Sequence, residues 1–384
     1  MVEKRWKGSA FSEFPAKVRQ GIFLSIGVAI LSRSFFEVDR EDGVDEVDFV
    51  AKSTSSTPSI LSTLIIMDFG KLPDISAVNF TLPQDPAANA AVLEKLPRRI
   101  GKPKAYIGAT GWGVKEWVGK VYPAKAKSAD FLRHYARQFN TIELNTTHYR
   151  IPDEATIHHW YDETTPDFRF CPKVLQTISH QGIFDLGFQI SDFEATKSES
   201  RNPKSEIERF CSAVSGLHEK MGCCFIQLPP YFKPDKLAAL ENFLKIFSQP
   251  FAVEVRHESW FNDPTSFDTL FQMLENHGVS TVITDVAGRR DVAHMRLTTG
   301  TVLVRFVGNN LHPIDFSRLD AWAQRLGDWF SKGLHEVYFF THGPENLLAP
   351  ELAIYLAEKL RSLGVETRAP VLLDKEEGKQ MTLF

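Results

Sequence analysis

From Tyr106 to the C-terminus, short apolar segments alternate with longer amphipathic ones, and this alternation constrains the fold more than any other feature. The short segments have the length and composition of strands, and the long ones repeat apolar residues with a helical period. One helix-type segment begins near Pro203, but the interval between the sixth and seventh strands lacks a clear helix. The strand-type segments are YIGATGW, TIELN, FRFCPKV, CCFIQLP, FAVEVRH, STVITDV, TVLVRFVG and EVYFFTHG.

Strands that alternate with helices form right-handed crossovers and a parallel sheet. Eight such units over about 260 residues predict an α/β fold, a (β/α)8 TIM-like barrel. The alternative is an open doubly wound sheet, which would carry a glycine-rich phosphate-binding loop after its first strand. The segment GATGWGVKEW lacks the G-x-G-x-x-G spacing of that loop, so the pattern favours the barrel.

The first part of the chain differs from the rest. Residues 1–66 contain a short apolar run, an acidic stretch and the low-complexity segment STSSTPS, without a sustained period. We therefore expect residues 1–66 to form a weakly ordered extension, upstream of a natural start at Met67. Residues 67–105 are interpreted as a proline-punctuated N-terminal arm, and residues 106–384 as the barrel with a C-terminal tail.

Composition narrows the function classes. Lys and Arg total 44 against 48 for Asp and Glu, so the net charge does not indicate a nucleic-acid partner, although it leaves one open. The apolar run GIFLSIGVAIL is too short to span a membrane, and no cleavage pattern follows it. The four cysteines lack C-x-x-C spacing, which favours reduced thiols and a cytoplasmic location. The sequence leaves the oligomeric state open.

Alternate residues of a barrel strand face inward, and several strands place charge on that face. In FAVEVRH the apolar set faces the helices, which leaves Glu254 and Arg256 inside. Barrel interiors are normally filled by branched apolar side chains, and active sites lie at the C-terminal ends of the strands. The same alternation places further polar side chains inside near strand ends, namely Glu143, Asn145, Lys173, Gln227, Asp285 and Arg305.

This combination predicts acid/base chemistry on a small anionic or sugar-like substrate. Arginine and lysine bind phosphate or carboxylate, while buried carboxylates and histidines move protons. The predicted catalytic residues are Glu143, Glu254, His257, Asp285 and His180. The predicted substrate-binding residues are Asn145, Tyr149, Lys173, Gln227, Arg256, Trp260, Arg305 and Trp112, with the aromatic residues at the rim.

Other interpretations stay open at this stage. The charges could form a purely structural network, or a non-catalytic module could use them to bind a phosphorylated ligand or nucleic acid. No cofactor is predicted, although carboxylates and histidines at strand ends also suit a divalent metal. The residues considered for that metal are Glu143, Glu254, His257, Asp285 and His342. Residues 178–202 form a long connection and are a candidate lid.

Several of these motifs, in this order, resemble those of the DUF72, or YecE-like, family. They include FNTIELNTTHYRIP, FIQLPP, VEVRHESW and YFFTHGPENLLAPELA, and the likeness covers residues 106–364. The resemblance implies a TIM-like barrel, but it implies no specific activity, because the biochemical function of the family is not established. It also implies a shared set of polar strand-end residues: Glu143, Asn145, Tyr149, Lys173, His180, Gln227, Glu254, Arg256, His257, Trp260, Asp285 and Arg305.

Overall fold

A computed structural model of the protein describes residues 70–186, 202–343 and 346–373, and the backbone of residues 380–381. The extension predicted for residues 1–66 lies outside the described residues. Residues 187–201, the larger part of the candidate lid, lie outside them as well.

Each of the eight predicted strand segments overlaps a strand, and the first strand alone begins before its predicted segment. These strands are β1 Lys104–Gly108, β2 Thr141–Leu144, β3 Arg169–Pro172, β4 Cys224–Gln227, β5 Phe251–Glu254, β6 Ser280–Asp285, β7 Thr301–Val307 and β8 Glu336–His342. Three two-residue strands follow, β9 Glu366–Thr367, β10 Leu372–Leu373 and β11 Gln380–Met381. Seven strands form one parallel sheet in the order β4-β5-β6-β7-β8-β1-β9, β2 pairs in parallel with β3, and β10 pairs antiparallel with β11.

The helices of eight or more residues in the described ranges are α1 Ala88–Lys95, α2 Phe131–Gln138, α3 Glu154–Glu163, α4 Pro203–Ser215, α5 Leu237–Ile246, α6 Pro264–Asn276, α7 Pro313–Ser331 and α8 Ala349–Ser362. Two shorter helices in these ranges are Ile183–Asp185 and Ser259–Asn262. Several of the longer helices begin at a side-chain cap. Asp153 accepts a hydrogen bond from the Thr156 amide before α3, and Asn202 and Asp263 cap α4 and α6. The interval between β6 and β7 holds a 3₁₀ segment, Ala287–Val292, in agreement with the weak helical pattern there.

The hydrogen-bonded ladder is not closed, which differs from the predicted continuous barrel. Instead of a regular ladder between β1 and β2, side chains bind the backbone of β1. Asn140 Oδ1 accepts from the Ile107 amide at 2.8 Å, and Asn140 Nδ2 donates to the Ala105 carbonyl at 3.1 Å. The Tyr135 hydroxyl accepts from the Ala109 amide at 2.8 Å and donates to the Thr141 carbonyl at 2.9 Å.

Gly108 allows β1 and β2 to approach each other closely at this junction. A Cβ atom at that position would lie 2.1 Å from the Thr141 carbonyl oxygen, so no other residue fits without a backbone shift. One backbone hydrogen bond, from the Glu143 amide to the Ala109 carbonyl at 3.1 Å, also joins these strands. On the side that faces β2, side chains therefore satisfy backbone groups of β1, whereas its other side pairs with β8 along its whole length.

One face of the strands changes from apolar to polar along its length. Near the N-terminal ends this face is buried and apolar, and the rings of Tyr106 and Tyr338 stack there with centroids 4.9 Å apart. The polar residues of this face therefore concentrate toward the C-terminal ends of the strands.

All four cysteines are unpaired and buried, and burial raises the pKa of the Cys171 thiol to about 12.

The N-terminal arm packs against this part of the protein through specific contacts. Asn89 Nδ2 donates to the Met295 carbonyl at 2.6 Å, and Asn89 Oδ1 accepts from the Leu297 amide at 2.8 Å. Asp85 pairs with Arg325 at 2.8 Å and accepts from Trp329 Nε1, also at 2.8 Å. Polar side-chain contacts thus hold the described part of the arm, and those of Asn89 are buried.

Within the described ranges, no helix combines the length and apolar character that crossing a membrane requires. The cytoplasmic location stays a prediction.

The junction between β1 and β2 gives a stability prediction. Asn140→Ala would leave the buried Ile107 amide and Ala105 carbonyl without partners, and each loss costs about 1–3 kcal/mol. We expect the free energy of unfolding in urea to fall by about 2–4 kcal/mol. Asn79→Ala is the matched control, because within the described chain the Asn79 side chain accepts only from the exposed Thr81 amide, at 2.9 Å, and its loss should cost about 1 kcal/mol or less. Equal effects of the two changes would contradict the bridging role of Asn140.

Candidate functional site

Arg305 lies at the centre of a buried charge cluster. Its guanidinium makes a two-pronged contact with Glu143, Nε to Oε2 at 2.9 Å and Nη2 to Oε1 at 3.0 Å. Its third nitrogen, Nη1, donates to Glu254 Oε2 at 3.0 Å. One cation on β7 therefore joins carboxylates from β2 and β5. The Phe225 ring of β4 lies 5.7 Å from the guanidinium carbon, which places an aromatic face beside the charge.

The remaining oxygen positions of both carboxylates are also occupied. Gln227 Nε2 donates to Glu254 Oε2 and Thr284 Oγ1 donates to Glu254 Oε1, both at 2.9 Å. Asn145 Nδ2 donates to Glu143 Oε1 at 3.2 Å, and His342 Nε2 lies 3.0 Å from Glu143 Oε2. We call the group the Arg305 cluster: Glu143, Asn145, Gln227, Glu254, Thr284, Arg305 and His342.

These contacts keep both carboxylates ionised. Burial by itself would raise the pKa of Glu143, but Arg305 and His342 outweigh burial and hold that pKa well below its usual value. Burial opposes ionisation of Glu254 in the same way, and Arg305 and Arg256 lower its pKa overall. Burial would lower the pKa of Arg305, yet the two carboxylates raise it. The cluster is thus a set of fixed charges at neutral pH.

Lys173 differs from its charged neighbours. Lys173 follows β3 directly, and by strand alternation it lies on the same face as Cys171. Because Cys171 pairs in register with Glu143 of β2, Lys173 lies on the face that carries Glu143. Burial, followed by the charge of Arg305, lowers the pKa of Lys173 from 10.5 to about 8. Within the described ranges, the Lys173 ammonium has no hydrogen-bond or ion-pair partner. Lys173 is half-buried, and an amine whose pKa lies this close to neutrality is a frequent mark of a functional site.

Two histidines lie beside Lys173. Burial and then the charge of Lys173 lower the pKa of His148 to about 3, and the same two causes lower the pKa of His180. The two rings lie 5.8 Å apart, and His148 Nδ1 is 2.7 Å from the Val174 carbonyl. Both imidazoles are therefore neutral near pH 7, with His148 Nδ1 as a donor.

Arg256 and His257 follow β5 but differ in their contacts. Arg256 is half-buried, its Nε lies 3.9 Å from Glu254 Oε1, and burial lowers its pKa to about 10. His257 Nδ1 lies 2.7 Å from Ser259 Oγ and accepts from the Ser259 amide at 3.1 Å. These contacts stabilise the start of the short helix Ser259–Asn262 and give His257 a local structural role.

Asp285 was predicted to face the same interior, and the structure places it elsewhere. Its carboxylate accepts from Trp322 Nε1 at 2.8 Å, pairs with Arg318 at 2.9 Å and contacts Arg290. Trp322 and Arg318 belong to α7, so Asp285 points toward the helix layer. Thr284 is the inward residue at the end of β6, because it binds Glu254.

The predicted rim aromatics also differ from expectation. Trp260 is 0% exposed, its Nε1 donates to the Phe232 carbonyl at 2.8 Å, and its ring stacks on the Phe232 ring. It is a core residue and cannot stack on a ligand at the rim. Trp112 is half-buried and packs edge-on against Trp160, whereas Tyr149 is 74% exposed. Tyr149 alone among these three has the exposure that the prediction requires.

Three residues of this region, His342, Thr284 and His148, were not predicted as catalytic or substrate-binding. His342 was considered only as a possible metal ligand. It is the last residue of β8, and by strand alternation it lies on the same face as Tyr338 and Phe340. Thr284 has no charge to draw attention, and His148 follows β2 in a 3₁₀ segment. Strand alternation could have identified His342 and Thr284, whereas no comparable signal marks His148.

The carboxylates fit a metal poorly, because Arg305 and amide or hydroxyl donors already occupy their oxygens. Among the described side chains, no group of three or more His, Cys, Asp or Glu is arranged to hold a metal ion.

The cluster gives a second stability prediction. Glu143→Gln replaces an acceptor with an amide and leaves Arg305 without its two-pronged partner. We expect the free energy of unfolding at pH 7 to fall by about 3–5 kcal/mol in urea denaturation. The matched control is Glu163→Gln, which removes a surface contact to Arg133 and should cost about 1 kcal/mol or less.

Acid titration tests the same pair from the protonation side. Because the folded pKa of Glu143 lies below its unfolded value of 4.5, the unfolded state binds more protons as the pH falls below that value. The stabilisation is complete above pH 4.5 and is lost toward the folded pKa. We therefore expect the loss of stability between pH 5 and pH 3 to be smaller in Glu143→Gln than in the wild type. Parallel pH profiles would contradict a depressed pKa at Glu143.

The comparisons with known proteins agree on one family. The family model described as "Protein of unknown function DUF72" matches residues 106–374. The UPF0759 protein YecE of Escherichia coli (strain K12) is 32% identical over 276 residues, which cover 67% of this chain and 92% of that protein. The UPF0759 protein YunF of Bacillus subtilis (strain 168) is 28% identical over 214 residues, 53% of this chain and 70% of that protein.

A solved structure supports the fold. The crystal structure of a DUF72 family protein from Enterococcus faecalis V583 aligns with a TM-score of 0.51 at 20% identity, covering 67% of this chain and 98% of that chain. At this identity the likeness concerns the fold and not the activity. With the match over residues 106–374 and the motifs around Glu143 and Glu254, the chain belongs to the DUF72 family, whose members YecE and YunF are its relatives.

Proposed function

We propose that the protein is an enzyme acting on a small substrate with an anionic group, and that Lys173 exchanges the proton in its reaction. The observation that carries the proposal is the Lys173 amine, which has no partner among the described residues and titrates near pH 8. Near that pH, comparable amounts of amine and ammonium coexist, which suits general acid/base catalysis. The charges of Arg305, Glu143 and Glu254 are close enough to act on the pKa of this amine.

The charge balance supports an anionic substrate. Three described cations, Lys173, Arg256 and Arg305, face the two ionised carboxylates Glu143 and Glu254. One positive charge is left over when Lys173 is protonated. A phosphate or carboxylate group would balance that charge, and arginine and lysine are suitable ligands for both.

The proposal changes the roles first expected for the carboxylates. Since Glu143 and Glu254 are held ionised by Arg305, they are poor proton donors near neutral pH. We assign them to holding Arg305 and setting the local potential. The neutral His180, close enough to Lys173 for its pKa to respond to that charge, is the candidate proton carrier.

We also propose that the β2–β3 pair fills the interval between β1 and β4, which would complete an eight-strand barrel. Support comes from the Glu143 amide bond to Ala109 on one side, and from the Val174 amide bond to Phe225, at 2.8 Å, on the other. Lys173 and Phe225 also form an isolated parallel bridge. The charged side chains would then lie at the end where barrel enzymes bind their substrates.

A second candidate is a non-catalytic module that binds a phosphorylated ligand with a flat ring. Tyr149, 74% exposed, lies against His148 with ring centroids 5.4 Å apart. Tyr231, 58% exposed, donates to the His180 carbonyl at 3.4 Å. Exposed aromatic rings beside a cationic site suit stacking on a base or sugar.

Anion binding is the first test of the proposal. We expect inorganic phosphate to bind the wild-type protein in titration calorimetry at pH 7. Lys173→Met should weaken that binding at least tenfold, which is about 1.4 kcal/mol. The control Lys245→Met, at an exposed lysine paired with Glu241, should leave the affinity unchanged.

A change of stability separates lost binding from lost folding in this experiment. Lys173→Met keeps the length of the side chain and removes a partly exposed ammonium without a described partner, so we expect the unliganded variant to be at least as stable as the wild type. Phosphate that binds wild type and Lys173→Met equally, or binds neither, would contradict the proposal.

A further inference from the structure

Burial is the main cause of a lowered ammonium pKa at two lysines of the described chain, but their surroundings differ. Lys220 Nζ donates to the carbonyls of Tyr161 and Thr164, at 2.5 and 2.8 Å, and to Thr164 Oγ1 at 3.2 Å. Its ammonium is therefore fully used. Within the described ranges, the Lys173 ammonium has no such acceptor. Lys220 is buried and bonded to three acceptors, whereas Lys173 is partly exposed, which leaves its amine accessible to a ligand.

The charged groups near Lys173 act on its amine in two opposite ways. Arg305 and Arg256 repel a proton on the amine, whereas Glu143 and Glu254 attract a positive charge there. An amine that is desolvated and lies next to other cations is an activated nucleophile. A cationic product at the same nitrogen would still be stabilised by the two carboxylates.

We propose that the Lys173 amine forms an imine with a carbonyl substrate that carries an anionic group, such as a 2-oxo acid or a phosphorylated aldehyde. The inference rests on the proposed function and adds the substrate class and the covalent step. Arg256 is the candidate partner for the anionic group, because it is half-buried near Glu254 and carries a positive charge.

The step balances without an additional reagent. The lone pair of the neutral Lys173 nitrogen attacks the carbonyl carbon, and a carbon–nitrogen bond forms while the carbonyl π bond breaks. The two hydrogens of the amine leave with the carbonyl oxygen as one water molecule. The imine nitrogen then takes a proton from solvent, and its positive charge lies near Glu143 and Glu254. His180 is placed to pass protons during this exchange.

Reductive trapping tests the inference on the wild-type protein. The protein is incubated at pH 8 with sodium cyanoborohydride and one of three anionic carbonyl probes: glyoxylate, pyruvate or glyceraldehyde 3-phosphate. Propionaldehyde is the uncharged control probe. Peptide mass spectrometry measures the modification of each lysine. We expect at least one anionic probe to modify Lys173 at least tenfold more than Lys220 or Lys245, and inorganic phosphate to suppress that modification.

The outcomes separate the inference from the proposed function. If phosphate binds but no anionic probe modifies Lys173 more than Lys220, the imine is wrong while the anion-binding site stands. If Lys173 is modified equally by propionaldehyde, or phosphate does not protect it, the anionic substrate class is wrong. Lys173→Arg keeps the charge but lacks the nucleophile. Undiminished labelling of the site peptide in that variant would assign the reaction to another residue and overturn the inference.

Discussion

The three-way contact of Arg305 with Glu143 and Glu254 is the interaction on which the site depends. A single guanidinium provides two nitrogens to one carboxylate and a third to the other. Because both carboxylates are almost fully buried, neither would be tolerated without that cation. The same contact joins β2 to β5 through β7, so the strand ends are positioned by a polar interaction as well as by the apolar core.

That contact also determines which group can do chemistry. Arg305 holds the carboxylates ionised and contributes to the low pKa of Lys173, which leaves an amine near neutrality in a region of fixed charge. Lys173 is half-buried among these charges and has no acceptor in the described chain, an arrangement that contributes little to folding and is typical of functional sites. Lys220 shows how the same fold satisfies a lysine that has a structural role.

Strand alternation predicted much of this site from the sequence. It correctly placed Glu143, Gln227, Glu254 and Arg305 together, since each sits on a strand whose outward residues are plainly apolar. It failed at Asp285, because β6 has apolar residues in both alternating sets and the acidic residue was preferred over Thr284. Trp260 was wrongly predicted to lie at the rim. It belongs to the short helix after β5, and no local pattern shows which side chains of so short a helix are buried.

The break in the ladder could not be predicted either. It depends on Asn140 and Tyr135 binding the backbone of β1, and such side-chain contacts depend on tertiary packing. The sequence indicated that Glu143, Glu254 and Arg305 face the same interior. Only the structure shows that Arg305 contacts both carboxylates.

The pKa of Lys173 is the most direct test of the account. Competitive acetylation with limiting acetic anhydride between pH 6 and pH 11, followed by peptide mass spectrometry, measures the fraction of each lysine present as the amine. The account predicts that the reactivity of Lys173 rises with a midpoint near pH 8. A midpoint near 10.5, the ordinary value for lysine, would contradict it.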